Sequence, residues 1–174
     1  MSFSQDYKKG SKGEQLLIDF LAKSGFEAFL NKDMSKKSFF DVYFEQPFIS
    51  FEVKFDFKSS ITGNIAIEYY NPVSNNISGI AVSKADYIVY IVYIKKVPIL
   101  YFARRKDLIR FMDEVKPFKN VCGGDNNNSY MLLYKKDVAL GDPSSDCPLK
   151  SYSPEEFAKE LGENIVLRIS PVEN

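Results

Sequence analysis

Hydrophobic positions along the chain follow two periods. In "KGEQLLIDFLAKS" (12–24), Leu16, Leu17, Phe20 and Leu21 recur at i, i+1, i+4 and i+5, the stripe of an amphipathic helix, with Gly25 as its stop. Beyond it the period shortens. "FEAFL" (26–30) predicts a short strand, and the polar "NKDMSKKS" (31–38) a loop. "FFDVYF" (39–44) and "FISFEVKF" (48–55), separated by "EQP", predict a β-hairpin with Pro47 in its turn. "NIAIEYY" (64–70) predicts a further strand, followed by the irregular "NPVSNNISG". The nearly continuous apolar run "ADYIVYIVYI" (85–94) suits a central strand covered on both faces, with "VPILYFA" (97–103) as its antiparallel or edge neighbour.

Further on, "RRKDLIRFMDEVK" (104–116) has a helical pattern that Pro117 ends, "CGGDNNNS" is a loop, and "YMLLYKK" (130–136) a strand. Ser153, Pro154 and Glu156 form an N-cap, a first-turn proline and a capping-box carboxylate, opening a short helix that ends near Gly162. The pattern predicts an α/β fold, a mixed central sheet of about five strands flanked by helices. A length of 174 residues suits one domain, 1–174, with a core that needs no disulfide or metal staple.

One strand carries an oddity. In "ISFEVKFDF" (49–57) alternation puts Glu52 and Lys54 together on one face, opposite Phe51, Val53 and Phe55. Asp41 shares a face with Phe39 and Tyr43 one strand earlier, so a hairpin register that pairs these faces brings three charged groups together. Two carboxylates held close repel, unless a divalent cation lies between them; hard oxygen ligands suit Mg²⁺ or Mn²⁺. A lysine beside them could hold a nucleophilic water and stabilise charge growing on a phosphoryl oxygen. The same Glu52 and Lys54 also fit a plain solvent face.

Glu14 bears on that choice, because Leu17, Ile18 and Leu21 follow it at i+3, i+4 and i+7 on the stripe that should face the sheet. A carboxylate there needs a partner, or else it is a first-turn carboxylate favoured by the helix dipole. Asp56 is two residues past Lys54 on the same face and either extends the charged group or marks where the strand meets water. Glu68 shares a face with Ala66, and a structural ion pair is its favoured reading.

Composition narrows the chemistry. The chain has no histidine, which excludes Ser-His-Asp triads, Cys-His dyads, HExxH zinc sites and histidine general bases. Cys122 and Cys147 stand apart from any metal or redox spacing. Lysine plus arginine and aspartate plus glutamate each number 23, so no bulk positive field marks a nucleic-acid partner. Basic residues nevertheless outnumber acidic ones nine to five between 61 and 120, and the ratio is reversed after 120. The opening "MSFSQDYKKGSKGEQ" has no apolar signal region and no long apolar span follows, so no membrane and a cytoplasmic location are expected, the host's cytoplasm if the chain is viral.

Helix Glu14, strand Asp41 and then "EVK" (52–54) resemble the PD-(D/E)XK nuclease superfamily, with its restriction-endonuclease-like fold, over about residues 10–116; 117–174 would be a C-terminal extension. The resemblance implies a metal-dependent DNA endonuclease with Mg²⁺ (or Mn²⁺) as cofactor. Carried over by position, Asp41 and Glu52 bind the metal with the Val53 carbonyl, Lys54 positions the water, and Glu14 is an outer ligand. Phe40 stands where the motif has proline. "TGNIAIEYYN" and "SGIAVSKADYIVYI" are also similar to phage-type and Holliday-junction-resolvase-like members, which implies branched DNA as a substrate.

DNA is the expected partner. Lys12 in "KKGSKG", Lys36, Lys37 and "RRK" (104–106) are candidates for the phosphate backbone, and Ser78, Ser83 and Lys84 for a phosphate contact; each also reads as an ordinary solvated or turn residue. A homodimer would align two basic faces of a neutral chain. Two other readings stand beside the nuclease. One is a catalytically silent nucleic-acid-binding or regulatory protein of the same fold; the other is a protein-interaction factor using its acidic tail.

Overall fold

The computed structural model describes residues 3–33, 39–123 and 129–169, with 3–9 and 164–169 as backbone only. The chain runs α1 (Phe3–Lys23), β1 (Phe29–Leu30), β2 (Val42–Glu45), β3 (Phe48–Phe55), α2 (Ser59–Thr62), β4 (Asn64–Asn71) and β5 (Asn76–Ile77). A 3₁₀ turn (Gly79–Ala81) leads to β6 (Tyr87–Ile94), β7 (Val97–Arg104), α3 (Arg105–Glu114), β8 (Lys119–Gly123) and β9 (Ser129–Lys135). Then come α4 (Lys136–Ala139), β10 (Leu140–Gly141), β11 (Leu149–Ser151) and α5 (Pro154–Ile169).

These strands form two sheets. A seven-stranded mixed sheet has the order β1-β2-β3-β6-β7-β11-β10, and a four-stranded sheet the order β5-β4-β9-β8. The expectation of about five strands in one sheet is therefore corrected. Strands β10 and β11 are too short to show a period, and β4 pairs with β9 and β5 instead of joining the hairpin strands. Alternation tells which side chains face inward and not which neighbour a strand takes.

The predicted hairpin is present, Val42 opposite Phe51 and Glu45 opposite Phe48. Strand β6 lies parallel to β3 and antiparallel to β7. Both of its faces are buried, which accounts for its unbroken apolar run. On one side Leu17 and Leu21 of α1 and Phe157 and Leu161 of α5 pack with Phe51, Val89, Ile91 and Phe102. On the other, Ile65 and Ile67 of β4 and Tyr134 of β9 cover Ile88, Tyr90 and Val92.

The residues after 117 thus supply strands to both sheets and a helix to the main core. The Phe157 ring lies tilted against Phe102, the centroids 4.4 Å apart, and also meets Phe20 and Tyr87. Its helix opens with the predicted capping box: Ser153 N–H donates to Glu156 Oε2 at 2.8 Å, and Glu156 N–H to Ser153 Oγ at 3.2 Å. Gly162 lies inside α5 instead of ending it. Among the described residues no helix is long and apolar enough to cross a membrane.

Candidate active site

Strand β2 ends its pairing with β3 at Val42–Phe51, so β3 runs on past Phe51 with an open edge. There the chain uses a side chain in place of a strand. Val53 N–H donates to Asp41 Oδ2 at 2.8 Å, while Asp41 N–H donates to the Phe51 carbonyl at 2.8 Å. A residue's N–H and C=O point to the same strand edge, so the Val53 carbonyl also faces the Asp41 side. Asn31 fixes the approach: its N–H donates to the Asp41 carbonyl at 2.8 Å and its side-chain amide to the Phe40 carbonyl at 2.9 Å. This buried asparagine had no signal in the periodic pattern.

Glu52 and Lys54 point to the same face of β3, beside Ile88 and Tyr90 of the parallel neighbour. Lys54 Nζ meets Glu52 Oε1 at 2.5 Å, the carboxylate 13% exposed and the lysine 32%. The purely solvent-facing reading of this pair is thereby excluded. Burial, and then the charge of Glu52, raise the Asp41 carboxyl to about 7, against the Val53 N–H and Lys54, which lower it. Burial works against the Lys54 charge, but Glu52, then Asp41 and Glu68, outweigh it and hold the ammonium above its usual range.

Helix α1 passes the same edge. A Cβ on Gly13 would lie 3.2 Å from Val53 and 3.3 Å from Phe55, so the absence of a side chain lets the helix approach β3 closely at this height. Glu14, next in sequence and half-buried, is near enough for its charge to raise Asp41 further, as the smallest of the contributions. Structure thus gathers Asp41, Glu52 and Lys54 directly and adds Glu14 through its field.

Among the described residues no three acidic or cysteine side chains stand close enough to form a ready metal cluster. The donors at the edge are two carboxylates and one strand carbonyl, all hard oxygen, and one carboxylate is costly to ionise as it stands. Such a set fits a divalent cation of the Mg²⁺ or Mn²⁺ type.

No protein-family model matches the sequence, and no curated protein is similar to it in sequence. The fold is similar to a solved one. The structure of a bacterial homing endonuclease, I-Ssp6803I, aligns with 94% of this chain and 98% of its own at a TM-score of 0.56 and 18% identity. The chain therefore has a fold that also occurs in an endonuclease.

The outlying candidates are placed unevenly. Lys12 is exposed on α1, its ammonium 5.5 Å from the Tyr93 ring. Lys84 is exposed over Phe39 at 4.0 Å, and its N–H donates to the Phe39 carbonyl. Ser83 is buried and donates to the same carbonyl, and the Ser78 hydroxyl is buried, so neither hydroxyl is presented to a phosphate; both expectations are corrected. Lys36 and Lys37 lie outside the described residues. Among the described residues Glu68 has no ion-pair partner, contrary to its expected role, and it lines a cavity with Lys54. Asp56 accepts the Ser59 N–H at 2.9 Å, and burial raises its carboxyl.

Proposed function

We propose that the chain is a DNA endonuclease of the PD-(D/E)XK kind that hydrolyses phosphodiester bonds with Mg²⁺ or Mn²⁺. The observation that carries this reading is the Asp41–Val53 hydrogen bond, which holds Asp41 at the open edge of β3 beside Glu52 and Lys54. The likeness to the fold of a homing endonuclease supports it. Asp41 and Glu52 would hold the cation with the Val53 carbonyl, and Glu14 would add an outer carboxylate. Bound there, a divalent cation supplies positive charge to the phosphoryl oxygens.

The protein's own groups then divide the work. Asp41 and Glu52 would serve as the carboxylates that hold the cation, and Lys54, beside Glu52, would donate a hydrogen bond to the attacking water and balance charge on the phosphate. Asp41 stays aligned through Val53, and Asn31 fixes the backbone behind it. Lys12 and Lys84 are proposed contacts to the phosphate backbone, which position DNA without reading its sequence. A two-fold dimer would bring two such edges to the two strands of a duplex.

A panel of labelled linear, branched and single-stranded DNA, incubated with Mg²⁺ or Mn²⁺, tests this. Wild type should cut at least one member, and Lys54→Ala should lower the rate by about 100-fold or more. Binding of DNA without cleavage of any member would instead favour the silent binding protein.

A further inference from the structure

Past Lys54 the chain runs on as "KFDFK" (54–58), a lysine at each end and two phenylalanines around Asp56. Asp56 is half-buried and accepts the Ser59 N–H, whereas Phe57 and Lys58 face water, the ring 54% exposed. Tyr93 of β6 packs against both phenylalanines, its centroid 5.7 Å from Phe55 and 6.5 Å from Phe57. The Lys12 ammonium of α1 stands 5.5 Å from the same tyrosine ring. Lys95 and Lys96 follow in the turn between β6 and β7, and both are exposed. One end of the seven-stranded sheet thus gathers Lys12, Lys58, Lys95 and Lys96 around Phe57 and Tyr93. Among the described residues none of these four lysines is in an ion pair.

The turn adds an independent sign. Both of its lysines hold positive φ, 50° and 69°, in a two-residue hairpin turn where asparagine and glycine are at ease. A Cβ makes that backbone costly, and such conformations cluster at functional sites. Here the cost keeps two ammonium groups at the end of the sheet with no carboxylate of the protein to pair with, so their counter-charge comes from outside the chain.

Charge and rings together decide the partner. Unpaired lysines on one surface suit a run of phosphates. An exposed ring among them suits a base that has left its own stack. In a blunt duplex every base is already stacked, and backbone contacts alone would leave Phe57 without a use. We propose that this surface binds a single-stranded segment of DNA, its phosphates on Lys12, Lys58, Lys95 and Lys96 and one base on Phe57, as the strand leaves the edge formed by Asp41, Glu52 and Lys54. The register sets the reach. Lys54 is level with Tyr90, and Lys95 lies five residues farther along β6, roughly 17 Å away and a span of a few nucleotides. The inference rests on the nuclease reading above and adds the substrate class: DNA with an unpaired stretch beside the bond to be cut.

Fluorescence anisotropy of the full chain with labelled DNA in EDTA, where binding is read without cleavage, tests it over a range of salt. The probes are a thymidine single strand, a blunt duplex of equal length and the same duplex with a thymidine tail. The single strand and the tailed duplex should bind more tightly than the blunt duplex. Lys95→Asn combined with Lys96→Gly should weaken single-strand binding about tenfold and reduce the slope of log K on log salt by about 1.4. Phe57→Ser should weaken single-strand binding about fivefold or more, with the salt slope and the blunt-duplex affinity unchanged. The unfolding transition of each variant verifies its fold. Equal affinity for single strand and blunt duplex, or wild-type single-strand affinity in either variant, overturns the proposal. A lysine variant whose mass in solution changes while its DNA affinity does not would assign the surface to a second copy of the chain and also overturns it. Failure of the endonuclease reading is separate: it shows as no cleavage of any DNA in Mg²⁺ or Mn²⁺ even while these binding differences are present.

Discussion

Asp41→Asn should make the protein more stable at neutral and alkaline pH while removing its proposed chemistry. In the folded chain the Asp41 carboxyl titrates at about 7 against an ordinary 3.8. At 1.36 kcal/mol per pKa unit this is about 4 kcal/mol against the ionised form above pH 7. Asp41 is only half-buried, and water screening reduces the realised cost to ~2 kcal/mol. The sign follows from the folded value being the higher one. The proton's stabilisation is complete below about 3.8 and is lost as pH rises through about 7. Asparagine keeps an oxygen for the Val53 N–H and carries no charge, so its advantage over aspartate should be small at pH 4 and level off above pH 7. For a chain of this size ~2 kcal/mol corresponds to about 4–8 °C in Tm. Thermal unfolding of both proteins at pH 4, 6 and 8, with and without Mg²⁺, measures it. Mg²⁺ should raise the wild-type Tm and leave that of Asp41→Asn nearly unchanged. A Tm for the variant equal to or below wild type at pH 8, or a gap that does not widen with pH, refutes the reasoning.

Three further outcomes follow from packing and backbone geometry. Phe157→Ala should cost about 3–5 kcal/mol in urea unfolding, because its ring is 1% exposed among Phe20, Tyr87 and Phe102; a cost under ~1 kcal/mol would mean that the C-terminal helix is not part of the core. Gly79→Ala should cost at least ~2 kcal/mol, since φ there is 57° and a Cβ would sit within clashing distance of the Glu68 backbone; wild-type stability would contradict it. Lys95→Asn combined with Lys96→Gly should stabilise by ~1 kcal/mol, because both lysines hold positive φ (50° and 69°) in the two-residue turn between β6 and β7; a lower Tm would count against that turn assignment.

Much of the candidate site's geometry could be read from the sequence because it lies on and beside a hairpin. Alternation fixes the shared face of Glu52 and Lys54, and the pairing of Val42 with Phe51 brings Asp41, just ahead of β2, to the edge of β3 beside them. The helix face of Glu14 is equally regular. What the pattern could not convey is pairing over distance. The strand at Asn64–Asn71 has the right alternation yet joins a second sheet with residues 60 to 71 positions away, and only that arrangement creates the cavity beyond Lys54. Asn31 shows the same limit: a lone polar residue in a loop carries no period, and its function comes from the carbonyls of Phe40 and Asp41 that it holds. Ser78 and Ser83 looked like phosphate contacts because small residues in a loop normally face water, but tertiary packing buries their hydroxyls.

The central claim is that Asp41, Glu52 and Lys54 make one metal-dependent hydrolytic centre. The most direct measurement is the cleavage rate of a DNA that wild type cuts, compared in Mg²⁺ and in EDTA for wild type, Asp41→Asn, Glu52→Gln and Lys54→Ala, with folding of each variant verified by its unfolding transition. The account predicts cleavage by wild type only with Mg²⁺, and a loss of about 100-fold or more in every variant. Cleavage that persists in EDTA, or that survives all three substitutions at the wild-type rate, would contradict it.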